Sequence, residues 1–284
     1  MSSPVAKPQV LVSTEWVAQH LDDPSVVVAE VNTDLQAGYF RGHVPGAVGW
    51  SLHEDLEDQV KRDVPSVAQL EELLGRSGID NDTTVVLYGD GNNRSATWAF
   101  WVLKYYRHGD VRLMDGGRRR WEEEGRPMTT DQPSPHRKVY RAGVPDRSIR
   151  ATREHIVQRM GRPDVRLLDT RTYEEFVGAT VASPGGSSGI YRPGRIPGAV
   201  HIPWDDGAAE DGTFKPPHQL RRLYEEKGIL PEHEVIAYCR LGVRASYSWF
   251  ALTYLLGYPR VRNYDGSWTE WGNSVGVPIE RGEP

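Results

Sequence analysis

The stretch IAYCRLGVRASYSWF, residues 236–250, contains the sole cysteine of the chain, Cys239. The run EVIAY (234–238) leads into it and reads as a buried strand. CRLGVR (239–244) carries two arginines and a glycine and does not extend that strand. ASYSWFALTYLLG (245–257) then sets Tyr247, Phe250, Ala251, Tyr254 and Leu255 on one helical stripe that stops near Gly257. The pattern is strand, loop, helix. Such a loop lies where a parallel strand ends and a helix begins, and open α/β sheets bind ligands there.

A loop of this kind can turn successive backbone N–H groups inward, and the helix N-terminus adds partial positive charge. Arg240 and Arg244 add full charges. Nearby positive charge favours the thiolate of a cysteine, and the thiolate is the nucleophile. A lone cysteine at a strand end is otherwise a small buried hydrophobe. The arginines and the helix favour the reactive reading: Cys239 attacks an anionic substrate and forms a covalent intermediate. The spacing C-x4-R is one residue shorter than the C-x5-R loop of cysteine phosphatases. A smaller loop suits attack on a single projecting atom, such as a sulfane sulfur.

The chain is written twice. VPGAV (44–48) recurs as IPGAV (196–200), and QLEELLGRSGI (69–79) as QLRRLYEEKGI (219–229). VVLYG (85–89) matches VIAYC (235–239), and VRLMDG (111–116) matches VRNYDG (261–266). Ser13 pairs with Thr152 and Glu30 with Asp169; both Ser13 and Thr152 sit where helix N-caps belong. The register shifts between Asp169 and Gly194, an insert that includes the loop-like ASPGGSSG (182–189). We expect a first domain over 1–132 that lacks the cysteine, a polar Pro-bearing linker over 133–148, and a catalytic domain over 149–284. Strands VVVAEV, TVVLYG, VRLM, VRLLDT, EVIAYC and VRNY alternate with helical patterns. Strands apolar throughout suit an α/β fold in which each domain is a parallel sheet flanked by helices on both faces. A feature in both copies reads as scaffold and a feature in one copy as function; Gly89 stands where the second copy has Cys239.

Composition narrows the classes. Hydrophobic residues are 38% of the 284, charged residues 26%, and the formal charge is −5. That is a globular composition and argues against nucleic-acid or anionic-membrane partners. The run RRR (118–120) reads as a solvated helix face. One cysteine makes no internal disulfide, which fits a reducing compartment. MSSPVAKPQV (1–10) has no signal-like apolar core, and no stretch reaches the ~18 apolar residues of a membrane span, so a cytoplasmic location is expected. The histidines show no H-x3-H spacing, and neither a metal nor a cofactor is expected.

CRLGVR, RPGRIPGAVHIPW, LLDTR and NYDGSWTEWG, with the tandem repeat, resemble the rhodanese family, and within it the tandem-domain bacterial thiosulfate sulfurtransferases. The resemblance runs from about Leu11 to Ile279. It implies two rhodanese-like domains, each with a five-stranded parallel sheet, the second alone catalytic. It implies that Cys239 takes the sulfane sulfur of thiosulfate as a persulfide, releases sulfite, and passes the sulfur to cyanide or a thiol. Anion-binding roles then fall on Arg240, Arg244 and Arg171, the loop on Leu241, Gly242 and Val243, and loop support on Asp169. The chain departs from the family's C-R-K-G-V-T loop at Leu241 and Arg244. Mercaptopyruvate sulfurtransferases show C-G-S-G-V-T and an arginine where this chain has Glu175, a carboxylate that would repel that substrate. The alternatives are 3-mercaptopyruvate sulfurtransferase and a persulfide carrier serving a protein partner.

Two motifs mislead. GGSSG (185–189) meets G-x-S-x-G without the strand and helix of a nucleophile elbow. GDGNNR (89–94) lacks the third glycine of a dinucleotide loop and is the first copy's version of CRLGVR, with Arg94 matching Arg244.

Overall fold

The computed structural model describes residues 10–181 and 189–284. The first nine residues, read above for a leader, lie outside the described residues, as do residues 182–188, which include most of GGSSG and of the insert. The chain divides into two compact units. One comprises residues 10–146 with Ala209–Phe214; the other comprises Arg147–Ala208 with Lys215–Pro284.

The first unit runs β1 (Leu11–Val12), α1 (Thr14–Gln19), β2 (Val26–Asn32), β3 (Val48–Ser51), α2 (Leu52–Leu56), α3 (Val67–Arg76), β4 (Thr84–Tyr88), α4 (Asp90–Tyr105), β5 (Val111–Met114) and α5 (Gly117–Glu123). Its five strands are parallel in the order β1-β5-β4-β2-β3. The second unit runs α6 (Arg153–Arg159), β6 (Val165–Asp169), α7 (Tyr173–Val177), β7 (Val200–His201), α8 (Pro217–Glu225), β8 (Glu234–Tyr238), α9 (Val243–Phe250), β9 (Val261–Asn263) and α10 (Ser267–Trp271). Its parallel sheet has the order β7-β6-β8-β9. Both sheets carry helices on their two faces, as the apolar strands require: every residue of β8 is buried.

The second sheet has four strands where the resemblance implies five. The place of β1 is held by one bridge between Arg150 and Asn263, and the Ala151 N–H reaches the Asn263 carbonyl at 2.9 Å. Ser13 and Thr152 cap α1 and α6, each accepting a backbone N–H from the third residue on. The helical stripe after Cys239 is not one α-helix. After Phe250 it widens into a π-helical turn, Ala251–Leu255, whose extra residue stacks Tyr254 on Phe250 at 5.5 Å and meets Trp249 edge-on at 5.6 Å.

Three further features differ from a plain sequence reading. Arg119 and Arg120 lie on the helix surface as expected, where they pair with Glu123 and Glu124, but Arg118 turns inward to buried Glu30 at 2.7 Å. The segment read as a linker is laid along the first unit. Lys138 N–H bonds the Gly75 carbonyl, Ala142 N–H bonds Glu71, Gly143 N–H bonds the Tyr106 carbonyl, and Tyr140 is buried. Residues 209–214, read as part of the second copy, group with the first. There Phe214 N–H donates to Asp115 Oδ1 at 2.9 Å, and Asp211 pairs with Arg120 at 2.7 Å. Among the described residues no helix is long and apolar enough to cross a membrane.

Candidate active site

Cys239 is the first residue past β8 and is 1% exposed. Its N–H donates to Ser267 Oγ at 3.0 Å, and its carbonyl accepts the Trp268 N–H at 3.0 Å. The Arg240 carbonyl accepts the Thr269 N–H at 3.1 Å and the Thr269 hydroxyl at 2.7 Å. The start of α10 thus anchors the loop's entry. Gly242 sits at φ +88°, a left-handed conformation that glycine adopts without a Cβ penalty. This turn aims the Gly242 N–H at Cys239 Sγ, 3.1 Å away. The Gly242 carbonyl accepts the Ser246 N–H at 2.9 Å, which opens α9, and Asn263 Nδ2 at 3.2 Å. The first turn of α9 adds N–H groups that have no carbonyl partner inside the helix. The sulfur therefore accepts one backbone N–H, that of Gly242, just before the N-terminus of α9.

The arginines divide by their partners. Arg244 meets Glu175 twice, Nη1 to Oε2 at 2.7 Å and Nη2 to Oε1 at 3.0 Å. Glu175 is in turn fixed by a capping box: Thr172 N–H donates to Oε2 at 3.1 Å, and Glu175 N–H donates to Thr172 Oγ1 at 3.3 Å. Burial pushes the Glu175 carboxyl up, but the Arg244 hydrogen bonds and charge, with the Thr172 N–H, hold it below the usual carboxylate value. Burial works against the Arg244 charge, yet Glu175 and the nearby Cys239 sulfur hold it more firmly protonated than usual. Arg171, 1% exposed, spans Asp169 with Nε to Oδ1 at 2.9 Å and Nη2 to Oδ2 at 2.6 Å, and Nη2 also reaches the Gly194 carbonyl at 2.7 Å. Its guanidinium lies 4.5 Å from the Trp268 ring centroid. Arg171 Nη1 is buried without a hydrogen-bond partner among the described residues. Burial, and then the charge of Asp169, push the Tyr238 hydroxyl well above its ordinary value, and that hydroxyl accepts the Ile196 N–H at 3.2 Å. Arg240, beside the cysteine, is partly exposed.

Cys239, Arg240, Leu241 and Gly242 thus form one loop, and Val243 and Arg244 open the helix that follows it. Glu175 joins it through Arg244, while Asp169 and Arg171 pair with each other beside Tyr238 and Trp268. Two loop-holding residues escaped the sequence reading: Ser267, which accepts the Cys239 N–H, and Asn263, which donates to Gly242. The signal was available. The first copy has Gly117 and Leu113 at these places within otherwise matching motifs. Ser267 even holds φ +51° without being glycine, as Gly117 does at +55°.

The first copy's loop is built otherwise. Gly91, Asn92 and Asn93 are all left-handed, at φ 55°, 55° and 62°. Asn93 Oδ1 accepts the Gly89 N–H at 3.0 Å, and its Nδ2 donates to the Met114 carbonyl at 2.6 Å, so the loop is closed by its own side chain. Burial pushes the Glu30 carboxyl up despite bonds from Tyr88, Arg118 and Asn32. A Cβ at Gly89 would run into the Val31 carbonyl oxygen.

Comparison with known proteins adds the family. The Rhodanese-like domain profile matches residues 13–124 and 152–274. Sulfur carrier protein TtuD of Thermus thermophilus is 50% identical over 98% of this chain and 99% of its own. A provisionally named thiosulfate sulfurtransferase of Mycolicibacterium smegmatis is 46% identical over 98% of this chain and 100% of its own. Among solved structures, an EanB complex with ergothioneine aligns with a TM-score of 0.87 at 26% identity, covering 100% of this chain and 72% of that one. The anaerobic ergothioneine biosynthesis enzyme of Chlorobium limicola, bound to trimethyl histidine, aligns with a TM-score of 0.85 at 28% identity, covering 97% of this chain and 71% of that one. With two matched domains and half of its residues shared with a relative of the same length, this chain belongs to the rhodanese family of sulfurtransferases.

Proposed function

We propose that the protein transfers the sulfane sulfur of thiosulfate to cyanide or a thiol through a persulfide on Cys239. The observation that carries this reading is the Gly242 N–H aimed at the sulfur of the sole cysteine, just before the start of α9. The Cys239 thiolate attacks the outer sulfur of thiosulfate, and the bond to the sulfonate sulfur breaks. Its electron pair leaves with sulfite. The acceptor then attacks the outer sulfur of the persulfide, and the Cys239 thiolate leaves. Negative charge rests on Cys239 Sγ before the first step and after the second, and on the outer sulfur in the persulfide between them; backbone N–H donors at the loop stabilise it.

In this reading Arg240 and the amides of Leu241 and Val243 receive the sulfonate oxygens, while the Gly242 N–H stays on the sulfur. Arg244 holds the loop through Glu175, and Asp169 with Arg171 supports it from β6. The catalytic domain spans 149–284, the domain over 1–132 is silent because Gly89 replaces the nucleophile, and 133–148 joins them. Thiosulfate is favoured over 3-mercaptopyruvate because Glu175 stands where mercaptopyruvate sulfurtransferases carry an arginine. The single thiol suits a reducing compartment, and we assign the protein to the cytoplasm.

A second reading is supported by the 50% identity to a sulfur carrier protein: Cys239 receives sulfur from a protein donor and hands it on. Mass spectrometry separates the two. Thiosulfate adds one sulfur atom, roughly 32 Da, to the protein, and a reductant removes it. Cys239→Ser shows neither the adduct nor sulfite release. Sulfite release from thiosulfate outpaces pyruvate release from 3-mercaptopyruvate. An adduct formed only with a persulfidated protein donor would replace the thiosulfate reading with the carrier.

A further inference from the structure

We propose that Asn263 is a positioning residue for sulfur transfer: it pins the Gly242 carbonyl so that the Gly242 N–H stays aimed at Cys239 Sγ. The proposal rests on Cys239 being the nucleophile. Asn263 ends β9, is 0% exposed, and lies in register beside Ala237 of β8. Its Nδ2 donates to the Gly242 carbonyl at 3.2 Å. The same residue's N–H points at the sulfur at 3.1 Å. Rotation of that residue about its backbone would spoil both contacts, so holding the carbonyl restricts the direction of the N–H.

The internal repeat isolates the side chain's part. The backbone of Asn263 pairs with Arg150 and Ala151 as the backbone of Leu113 pairs with β1. That task is common to both copies and needs no amide side chain. The loops differ in what ties them. Asn93 ties the first loop to the Met114 carbonyl and to the Gly89 N–H. The second copy has Val243 at that position, and both contacts pass to Ser267, outside the loop: its Oγ accepts the Cys239 N–H and donates to the Tyr264 carbonyl at 2.6 Å. Asn263 adds a further tie, to the Gly242 carbonyl, where the first copy has a leucine. A tie from outside leaves the loop's centre to the sulfur.

The other end of the amide supports a role beyond stability. Asn263 Oδ1 is buried and has no hydrogen-bond partner among the described residues. A buried acceptor left unpaired is unfavourable, and the leucine of the first copy avoids it. A core position that bears this cost is explained by what its donor holds.

The test uses the full chain with Asn263→Leu, the first copy's residue, and Asn263→Ala, each charge-neutral. Three quantities are read: alkylation of the sole thiol by iodoacetamide at neutral pH, single-turnover sulfite release across thiosulfate concentrations, and thermal unfolding. Alkylation and the limiting rate of sulfite release are expected to fall about tenfold, while half-saturating thiosulfate stays within about twofold. The Asn263→Leu midpoint is expected to equal or exceed that of the parent protein. Unchanged rates in a folded variant overturn the proposal, and so does a change confined to half-saturation. If Asn263→Leu does not fold, Asn263→Ala decides by the same rates. A parent protein that takes no sulfur from thiosulfate would end the thiosulfate reading, while alkylation would still decide the role of Asn263.

Discussion

Arg244 and Glu175 face each other as a two-point ion pair, at 2.7 and 3.0 Å, with side-chain exposures of 11% and 1%. One belongs to the first turn of α9 and the other to the first turn of α7. Sequence made Arg244 a ligand for the substrate and Glu175 a bare negative charge. The structure joins the two, so each neutralises the other and the loop is tied to a capped helix.

Breaking this pair from one side strands a buried charge. Glu175→Gln or Arg244→Met is expected to destabilise the protein by about 3–5 kcal/mol, and the double variant to recover most of it. A double-mutant cycle by urea unfolding measures the coupling; additive losses would mean that the pair is not coupled. The Glu175 carboxyl is held below its ordinary 4.5. Its contribution is therefore complete above that pH and is lost as pH falls through the lower folded value. Below about pH 4.5 the parent protein is expected to lose its advantage over the double variant.

Arg240 and Arg244 are expected to fail differently. Arg240 is partly exposed beside the cysteine, so Arg240→Ala is expected to lower the unfolding midpoint less than Arg244→Ala does. It lowers kcat/KM for thiosulfate roughly tenfold to a hundredfold through a lost charge-assisted contact. Arg244→Ala lowers the midpoint, because buried Glu175 loses its partner. Steady-state kinetics and thermal unfolding of both variants check this; equal midpoints would remove the distinction.

The first copy does not become a second site by regaining a thiol. Gly89→Cys in a Cys239→Ser background is expected to give no sulfur adduct with thiosulfate. The new Cβ meets the Val31 carbonyl, and Asn93 already closes the loop. Overpacking of this kind costs about 1–3 kcal/mol, so the midpoint falls as well. Mass spectrometry and thermal unfolding read both outcomes.

Asp115 sets a pH dependence of the opposite sign. Burial pushes its carboxyl up to about 6 from an ordinary 3.8, against N–H donors from Phe214 and Gly116. The folded protein therefore binds this proton more tightly than the unfolded chain does, and stability falls as pH rises between those two values. Asp115→Asn is expected to raise the midpoint at pH 7 and to leave it nearly unchanged near pH 4. The matching Asp265 is instead paired with the Arg150 guanidinium at 2.7 and 2.8 Å. Thermal scans at the two pH values check this.

The parallel strands and the helix caps were legible because apolar runs and Ser/Thr before a helical stripe are local signals. Cys239 and its loop were legible from one residue type at one strand end. Other features depend on contacts distant in sequence. The Arg244–Glu175 pair joins residues from two helices, and no periodicity announces it. The inward turn of Arg118 was hidden among three arginines, because only the place of Glu30 in the sheet selects one of them. Ser267 and Asn263 were hidden inside motifs that read as scaffold, although each differs between the copies. The missing fifth strand has no sequence signal, since one bridge replaces a two-residue strand.

The segment Ala209–Phe214 has a consequence for how the chain is made. It completes the first unit, yet it is encoded well inside the second copy. During synthesis the first copy emerges before the residues that bond Asp115 and Arg120 exist. Its folding therefore finishes only when much of the second copy has also been translated. For the same reason no single cut of the gene separates the two repeats. A break at the linker takes six residues from the first unit and leaves them on the chain of the second, so the first repeat is completed by the second.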